Sequence, residues 1–471
     1  MSAAVLLLGA LRLAVWLLMA AAVVQLVRMA IGRPAPPPAV HVPPDHELPV
    51  VTVQLPIRNE RYVAERAVRA ACALDWPRGR LQVQVLDDSD DDTANIVDQT
   101  VAELAARGHD VHVVRRPNRR GFKAGHLQHA LGVARGEFLA VLDADCVPPA
   151  DFLRRLVPPL LADPSLAFAQ GRWSFDNETQ GVLTRLQALI LHGLMGVEQA
   201  WLSRRRQPVQ FNGSGGVWRR TALEAAGGWL PAGHASVAED LDLSFRAHLM
   251  GYRGLHLPEV VVRTELPARM AAFRAQQQRW VRGGAQVLRA LGRRGLPGAM
   301  LAHLLRHLRQ PVLALFCATQ PLVATGVVPL AGAAVVWTAL LALLLGALSF
   351  YYGIALRRLG RSPLPALVAA PGLLALSLGM SLALSAALLR GLLEDRRDAE
   401  FVRTPKTGGI AHAAYRAPVD RLAWLEVALG GVHLVCAGHL VLHGDRAAAL
   451  VTAGLVAGGL LWVGVGSLLR R

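Results

Sequence analysis

The sequence predicts an α/β protein in which a doubly wound cytosolic domain is inserted between transmembrane α-helices. Two features of composition and one of pattern predict this class. The 471 residues are 53% hydrophobic with a mean hydropathy of +0.34, which is too apolar for an ordinary soluble enzyme. Charged residues still make up 18% of the chain, too many for an all-membrane protein. Long apolar runs lie near both ends, and short apolar segments alternate with helical patterns between them.

Residues 1–33 are predicted to form an N-terminal transmembrane helix. The apolar run Ala3–Ile31 is interrupted by Arg12, Gln25 and Arg28, and ~20 residues suffice to cross the hydrocarbon layer. A cleaved signal peptide is the alternative, but no clear cleavage pattern precedes the basic flank. Residues 34–49 are rich in proline and are predicted to form a stiff linker.

Residues 50–292 are predicted to form the cytosolic domain. Segments rich in β-branched residues predict strands at Val50–Leu55, Leu81–Leu86, Asp110–Val114 and Phe138–Leu142. Segments with helical periodicity lie between them, at Glu60–Ala73, Thr93–Arg107 and Gly125–Ala134. This βαβ series predicts a parallel sheet, and ligands of such sheets bind at the carboxyl ends of the strands.

Polar clusters follow three of these strands, at Arg58–Glu60, Asp87–Asp88 and Asp143–Asp145. Alternate side chains of an extended chain point the same way, so Asp143 and Asp145 are expected to share one side. Two such carboxylates suit Mg²⁺ or Mn²⁺ shared with a diphosphate. A lone Asp-x-Asp also arises by chance or as a helix cap, so this prediction depends on the other clusters.

The net charge of +16 is concentrated beside the apolar segments. The arginine pairs and triplets are Arg204–Arg206, Arg293–Arg294, Arg357–Arg358, Arg396–Arg397 and Arg470–Arg471. This pattern favours anchoring to anionic lipid on the cytoplasmic side over nucleic-acid binding. The four cysteines are scattered without metal-ligand or disulfide spacing, which fits a reducing compartment.

Lysine is almost absent from the chain. Of 50 lysine and arginine residues, only Lys123 and Lys406 are lysines. These two positions are candidates for sites that need a compact ammonium group rather than a planar guanidinium. The alternative is that both lysines persist without a special role.

The C-terminal part is predicted to combine interfacial and transmembrane helices. Residues 293–310 are typical of an interfacial helix, and residues 311–356 are expected to form a transmembrane hairpin. The apolar run Leu364–Leu389 has arginines on both flanks, so residues 357–421 are predicted to be a re-entrant or interfacial segment followed by a cytoplasmic loop. Residues 422–471 are predicted to form a second hairpin. We therefore expect the chain to cross the membrane about five times, with the N-terminus outside the cell and the C-terminus in the cytoplasm.

Seven motifs, taken in order, resemble the membrane-bound cellulose and mannan synthases, which are inverting family 2 glycosyltransferases with a GT-A fold. The motifs are VTVQLPIRNE, VLDDSDDDT, GFKAGHLQHAL, LDAD, FNGSGGVWR, AEDLDLSFRA and QQQRW. The likeness is greatest to plant-type glucomannan 4-beta-mannosyltransferases and xyloglucan-backbone synthase-like proteins. It is dense over residues 50–290 and loose beyond them. Ser214 and Ala238 depart from the usual family residues but remove no reactive group.

The resemblance implies a role for each matching residue. Asp240 matches the single general base that inversion requires, and Glu239 beside it would orient the helix or the acceptor. The implied donor-binding residues are Asn59, Glu60, Asp87, Asp88, Lys123, Asp143, Arg279, Thr404 and Lys406. The implied acceptor-binding residues are Phe211, Asn212, Gly213, Gln276 and Trp280. Asp143 and Asp145 would hold Mg²⁺ or Mn²⁺, with Asp145 as the more direct ligand.

Residues Phe401–Lys406 resemble the gating loop of cellulose synthases, with Arg403 where valine is usual. That loop closes over the nucleotide in the family. The resemblance therefore implies that Thr404 and Lys406 reach the diphosphate, which would give the second lysine a role.

The leading hypothesis is a processive β-glycosyltransferase of the cell (inner) membrane, with its catalytic domain in the cytoplasm. It would polymerise a mannan or glucan from a GDP- or UDP-sugar and translocate the product. The alternative is transfer of one sugar to a lipid such as ceramide, diacylglycerol or polyprenyl phosphate. A catalytically silent transporter or sensor is disfavoured because Asp143, Asp145 and Asp240 are all present. The expected partners are a nucleotide sugar, a glycan or lipid acceptor and membrane lipid, without nucleic acid.

Overall fold

The computed structural model describes residues 3–32, 40–231, 236–325, 333–394 and 420–469. Its strands are β1 (Val51–Ile57), β2 (Leu81–Asp87), β3 (Asp110–Val114), β4 (Phe138–Val141), β5 (Leu166–Phe175), β6 (Gly216–Arg219) and β7 (Arg253–Thr264). They form one sheet in the order β3-β2-β1-β4-β6-β5-β7. The four strands that the sequence predicts are confirmed within one or two residues.

Helices precede, interleave with and follow the strands. In chain order they are α1 (Ala3–Ile31), α2 (Ala64–Cys72), α3 (Thr93–Ala106), α4 (Phe122–Leu131), α5 (Phe152–Ala162), α6 (Val182–Gly193), α7 (Ala200–Arg204), α8 (Arg220–Ala225), α9 (Glu239–Leu249), α10 (Met270–Leu291), α11 (Gly298–Leu305), α12 (Arg309–Ala324), α13 (Ala333–Arg358), α14 (Leu364–Leu393), α15 (Leu422–Leu442), α16 (Arg446–Val451) and α17 (Gly458–Leu468). π-helical turns join α6 to α7 and α16 to α17.

The sheet is mixed rather than wholly parallel. Strand β1 pairs in parallel with β2 and β4, and β2 pairs in parallel with β3, as the doubly wound prediction requires. Strand β6, however, runs antiparallel to both β4 and β5. The parallel pairing predicted for β1 to β4 is confirmed, and β6 is a strand that the sequence did not predict. The order reverses between β1 and β4, which opens the crevice where such sheets bind ligands.

Helices cover both faces of the sheet and bury two apolar layers. One layer joins the valines and leucines of β1 and β2 to α2, α3 and α5. The other joins β4 and β6 to α4, α8 and α9, around the fully buried Trp218. Each buried valine or leucine contributes about 1.5–3 kcal/mol relative to exposure, so the layers hold the strand ends in fixed positions.

Within the described ranges, five helices are long and apolar enough to cross a membrane, judged by length and composition. They are Val5–Ile31, Val336–Arg358, Leu364–Leu393, Leu422–Leu442 and Arg446–Leu468. Helix α12 has 16 residues and packs beside α1 and α14, and residues 326–332 that follow it lie outside the described ranges. The predicted hairpin of residues 311–356 therefore corresponds to α12 and α13. The single interfacial helix expected over residues 293–310 is instead a turn, the short α11 and a second turn.

Helix α14 is one unbroken helix of 30 residues, about 45 Å long. Its two ends are tied to the sheet-containing domain. Before its first turn, Arg361 pairs with Glu178 at 2.7 Å, and after its last turn Glu394 pairs with Arg282. The helix does not double back, and it packs against α12, α13 and α17 as well as against α10 of the domain. Whether residues 357–421 form an interfacial segment stays a prediction, since α14 is also long and apolar enough to cross a membrane.

Candidate active site

The site is built where β4 ends. Lys123, in the first turn of α4, donates to Asp143 Oδ1 at 2.6 Å and to the Gly213 carbonyl at 2.9 Å. The Glu239 carboxylate lies 3.9 Å from the same ammonium. Burial lowers the pKa of Lys123, but the facing carboxylates outweigh burial and hold the pKa above its ordinary value. The lysine singled out by its rarity therefore stays charged at the centre of the predicted residues.

The glycine-rich loop brings backbone against two reactive groups. Gly213 has φ +75°, a conformation that glycine adopts without strain. A Cβ at this position would lie 3.0 Å from Asp240 Oδ2 and 3.8 Å from Lys123 Nζ. The loop thus needs glycine for both its conformation and its close approach to Asp240.

Helix α9 begins at the two acidic residues Glu239 and Asp240. Burial raises the pKa of Glu239 to about 7, although Lys123 opposes this shift. Burial also raises the pKa of the half-buried Asp240. A carboxylate whose pKa is raised towards neutrality accepts a proton more readily, which suits a general base.

Helix α10 supplies a second cation and an aromatic wall. Burial lowers the pKa of Arg279, and the nearby Glu239, Asp143 and Asp240 oppose this shift. Trp280 packs beside Phe175 and Leu266. Gln276 lies half-buried three residues before Arg279 on the same helix. The structure therefore gathers Lys123, Asp143, Glu239, Asp240 and Arg279 into one charged cluster.

The predicted geometry of the two aspartates is wrong. The chain turns after Asp143, whose carbonyl accepts a hydrogen bond from the Cys146 N–H at 2.8 Å. Residues 143–145 are therefore not extended, and alternation along a strand does not place both carboxylates on one side. Asp143 remains 39% exposed, whereas Asp145 is 3% exposed. Asp145 Oδ2 accepts hydrogen bonds from the Thr264 hydroxyl and from the Glu265 N–H at 3.1 Å. Asp143 is thus the more accessible of the two carboxylates. The assignment of Asp145 as the more direct metal ligand stays a prediction.

This donor set fits a divalent ion that takes part of its coordination from substrate. Within the described ranges, no three histidine, cysteine or carboxylate side chains converge on one metal position. Mg²⁺ is typically held by one or two carboxylates together with substrate phosphates and water. Asp143 and Asp145 supply that number of carboxylates.

Asp87 and Asp88 are engaged by arginines that the sequence analysis did not single out. Arg115 donates twice to Asp87 Oδ2, at 2.8 and 3.0 Å, and Asp87 is fully buried. Arg116 forms a two-pronged pair with Asp88, at 2.6 and 3.0 Å. Although burial raises it, the pKa of Asp88 is held well below its ordinary value by His126 and Arg116. Both carboxylates therefore brace the loop after β3.

Asn59 and Glu60 shape the loop after β1. Asn59 has φ +52°, and its side chain exchanges two hydrogen bonds with Asp90, at 2.6 and 2.9 Å. The Glu60 carbonyl accepts from the N–H groups of Val63 and Ala64, which starts α2. These contacts align the ends of β1 and β2 at one edge of the sheet.

Two of the expected acceptor residues are fixed by contacts within the domain and also line the cavity described below. The Phe211 ring is buried 5.5 Å from Phe168 and 5.4 Å from Trp218. The Asn212 amide donates to Gln170 Oε1 at 3.0 Å. Their role in acceptor binding stays a prediction.

Ser214 was noted only as a departure from the family pattern, yet it joins two parts of the site. Its hydroxyl accepts from the Asp143 N–H at 2.7 Å and donates to Cys146 Sγ at 3.1 Å. The glycine-rich loop is thereby fixed to the aspartate turn. Thr404 and Lys406 lie outside the described residues.

A cavity of about 2170 Å³ leads from this site to the membrane helices. Its domain end is lined by Asp240, Asn212, Trp173 and Trp280, and its far end by side chains of α1, α12, α13 and α14. Asp240 lines the cavity, whereas Glu239 is 8% exposed beside Lys123. Asp240 is thus placed between the charged cluster and the cavity.

Residues 49–283 match the family described as "Glycosyltransferase like family 2". They are a family 2 glycosyltransferase domain. Relatives agree with this assignment. The chain is 41% identical over 256 residues to the probable glucomannan 4-beta-mannosyltransferase 1 of Arabidopsis thaliana, covering 54% of this chain and 46% of that protein. It is 40% identical over 248 residues to the probable glucomannan 4-beta-mannosyltransferase 3 of Oryza sativa subsp. japonica, covering 52% and 44%. The chain thus spans about half the length of the curated relatives it matches.

A solved structure resembles both the glycosyltransferase domain and part of the helices around it. It is a mannosyltransferase from Pyrobaculum calidifontis in complex with GDP-mannose and Mn²⁺. The TM-score is 0.53 and the identity 25%, over 82% of this chain and 98% of that one. The likeness confirms the GT-A class predicted for the glycosyltransferase domain.

Proposed function

We propose that this protein is an inverting, metal-dependent hexosyltransferase that forms a β-linked glycan, with GDP-mannose as its donor. The position of Asp240 carries the proposal, because it separates a charged cluster suited to a diphosphate from a cavity suited to an acceptor. The donor follows from the mannosyltransferase names of the relatives and from the GDP-mannose bound by the structural neighbour.

The donor diphosphate would lie against Lys123 and Arg279. Both cations contact or face carboxylates, and a diphosphate would replace those contacts with charge-assisted hydrogen bonds. A divalent ion held by Asp143 and Asp145 would neutralise the charge that develops on the departing diphosphate. The arginine-braced aspartates, Asp87 and Asp88, keep the strand ends in place beneath the nucleotide.

The acceptor hydroxyl would approach from the cavity. Asp240 would take its proton as the hydroxyl attacks the anomeric carbon from the face opposite the diphosphate. One base suffices, since no covalent sugar intermediate forms in an inverting transfer. Trp280 lines the same cavity and offers a flat apolar wall on which a sugar ring stacks.

Two acceptors suit the cavity. The leading one is a growing β-glycan that passes between the membrane helices, which the names of the relatives favour. The second is a lipid-borne acceptor, which the aliphatic lining contributed by α12, α13 and α14 favours. In both cases α1, the α12–α13 hairpin, α15 and the α16–α17 helix would span the cell (inner) membrane, with α14 at the interface and the domain in the cytoplasm.

The test is nucleotide release by the lipid-reconstituted protein with GDP-mannose, UDP-glucose and other donors, with Mg²⁺ or Mn²⁺. We expect metal-dependent GDP release and a β-linked product by NMR. An α-linked product would contradict inversion, and release from UDP-sugars alone would contradict the donor. A long polymer would support processive synthesis, whereas a single sugar on a lipid would support the second acceptor.

A further inference from the structure

The wall of the cavity changes in chemistry beyond Trp280. A Cβ at Gly284 would lie 3.5 Å from the His307 ring, and Gly284 is four residues beyond Trp280 on α10. Four residues of helix rise about 6 Å. The basic collar, defined here as His303, Arg306, His307 and Arg309, therefore lies about one helical turn beyond the tryptophan in the same cavity.

The basic collar carries more positive charge than its surroundings neutralise. Arg306 pairs with Glu198 at 3.2 Å. In the part of the chain that the structure describes, no carboxylate pairs with Arg309, whose side chain lines the cavity. Burial, Arg306 and Arg309 lower the pKa of His307 to about 3, so the ring is neutral while the collar holds no anion. The guanidinium groups of Arg306 and Arg309 therefore face a single carboxylate, that of Glu198. One more negative charge would neutralise the collar.

The cavity beyond the collar is aliphatic. Helix α12 begins at Arg309, so Leu313 and Phe316 lie about one and two turns deeper, at ~6 and ~10 Å. Leu17 of α1 faces this space with 62% of its surface exposed, and Leu341 of α13 lines it as well. A hydrocarbon chain would gain about 0.8 kcal/mol for each CH₂ group that it buries here.

We propose that the cavity binds a saccharide carried on a lipid phosphate or diphosphate, with the phosphate at the basic collar. This inference rests on the proposed transferase function and names the acceptor class of the same site. The saccharide would lie between the collar and Asp240, against Trp280, and the lipid chain would lie between α1, α12 and α13. Along the cavity, Asp240 comes first, then the basic collar, then the aliphatic wall. A lipid-phosphate saccharide has its parts in the same order: the sugar, then the phosphate, then the hydrocarbon chain.

Neither a neutral lipid nor a free glycan matches all three parts of the cavity, which are Asp240, the basic collar and the aliphatic wall. A neutral lipid such as ceramide or diacylglycerol would bring no negative charge to Arg309, whose side chain lines the cavity. A free glycan, which the names of the relatives favour, would place hydroxyl groups against the leucines beyond Arg309, so the cavity lining favours the lipid-borne acceptor instead. A phosphate accepts the fork of hydrogen bonds that a guanidinium presents, which explains why arginine occupies this position.

Binding of farnesyl phosphate to the purified full chain in neutral detergent tests the proposal without relying on turnover. Farnesol supplies the chain without charge, and inorganic phosphate supplies the charge without a chain. We expect farnesyl phosphate to bind at least about 10-fold more tightly than either control, since farnesol loses the charge-assisted hydrogen bonds and inorganic phosphate loses the burial of the chain. Equal binding of farnesyl phosphate and farnesol, or of farnesyl phosphate and inorganic phosphate, would overturn the proposal.

Arg309→Gln removes the unpaired charge and is expected to weaken farnesyl phosphate binding about 10-fold. Arg357→Gln is the matched control, because Arg357 is an exposed arginine at the end of α13 that is not part of the cavity wall. GDP-mannose binding by both variants reports that the domain is folded. Unchanged farnesyl phosphate binding by folded Arg309→Gln would refute the role of the collar. If GDP-mannose is turned over but farnesyl phosphate does not bind, the acceptor class alone fails. If GDP-mannose does not bind either, the proposed function fails.

Discussion

Gly213→Ala tests the contact between the glycine-rich loop and the general base. The alanine would have to adopt φ +75°, which costs a residue with a Cβ about 1–2 kcal/mol. Its Cβ would also lie 3.0 Å from Asp240 Oδ2, closer than an ordinary contact by a few tenths of an ångström. The carboxylate must therefore move, and it is the group that receives the acceptor proton.

The size of the effect on turnover follows from that displacement. A misplacement of 1 Å costs roughly 100-fold in rate, so a few tenths of an ångström should lower kcat about 5-fold. Donor binding should change little, because the Gly213 carbonyl that accepts from Lys123 is retained. The assay is nucleotide release as a function of donor concentration, with thermal unfolding measured on the same samples.

Gly295→Ala is the matched control for backbone strain. Gly295 has φ +68°, and a Cβ there would have no neighbour within 4 Å. Both variants should lose similar stability, but only Gly213→Ala should lose turnover. Equal kcat values in the two variants, at equal loss of thermal stability, would refute the proposed contact with Asp240.

Three further predictions test the rest of the site. Asp145→Ala should raise the metal concentration needed for donor binding about 10-fold or more, and an unchanged metal titration would count against Asp145 as a ligand. Glu239 keeps its proton in the folded protein up to about pH 7 but loses it near 4.5 when unfolded, so thermal stability should fall as pH rises across that window. Glu239→Gln should flatten this dependence, and a persistent slope would assign it to another group. Ser214→Ala should cost about 1–3 kcal/mol by leaving the Asp143 N–H unpaired, and an unchanged melting temperature would remove Ser214 as a brace.

The sequence was sufficient to predict features that depend on neighbouring residues. Apolar strand patterns placed β1 to β4, and the polar residues that follow them were correctly expected at one edge of the sheet. The scarcity of lysine drew attention to Lys123, which lies at the centre of the charged cluster.

Features that depend on distant contacts were not predictable in this way. The inward turn of Asp145 depends on Thr264, 119 residues later in the chain. The burial of the Phe211 ring depends on Phe168 and Trp218, which come from β5 and β6. Local patterns do not encode such partners, since they depend on how separate elements pack.

The antiparallel β6 and the position of α14 have the same origin. The sequence of α14 has the length and composition of a membrane span. Its contacts depend on distant residues: ion pairs at its two ends join Arg361 to Glu178 and Glu394 to Arg282, and the helix packs against α12, α13 and α17. The sequence of α14 alone does not specify these partners.

The most direct test of the central claim compares donor binding and turnover in Asp240→Asn. The amide keeps the shape of the carboxylate but cannot accept the acceptor proton. We predict that the variant binds GDP-mannose with near wild-type affinity in the presence of Mn²⁺, while metal-dependent GDP release falls by a factor of at least about 100. Wild-type GDP release by Asp240→Asn would contradict the assignment of the base, and with it the mechanism proposed for this site.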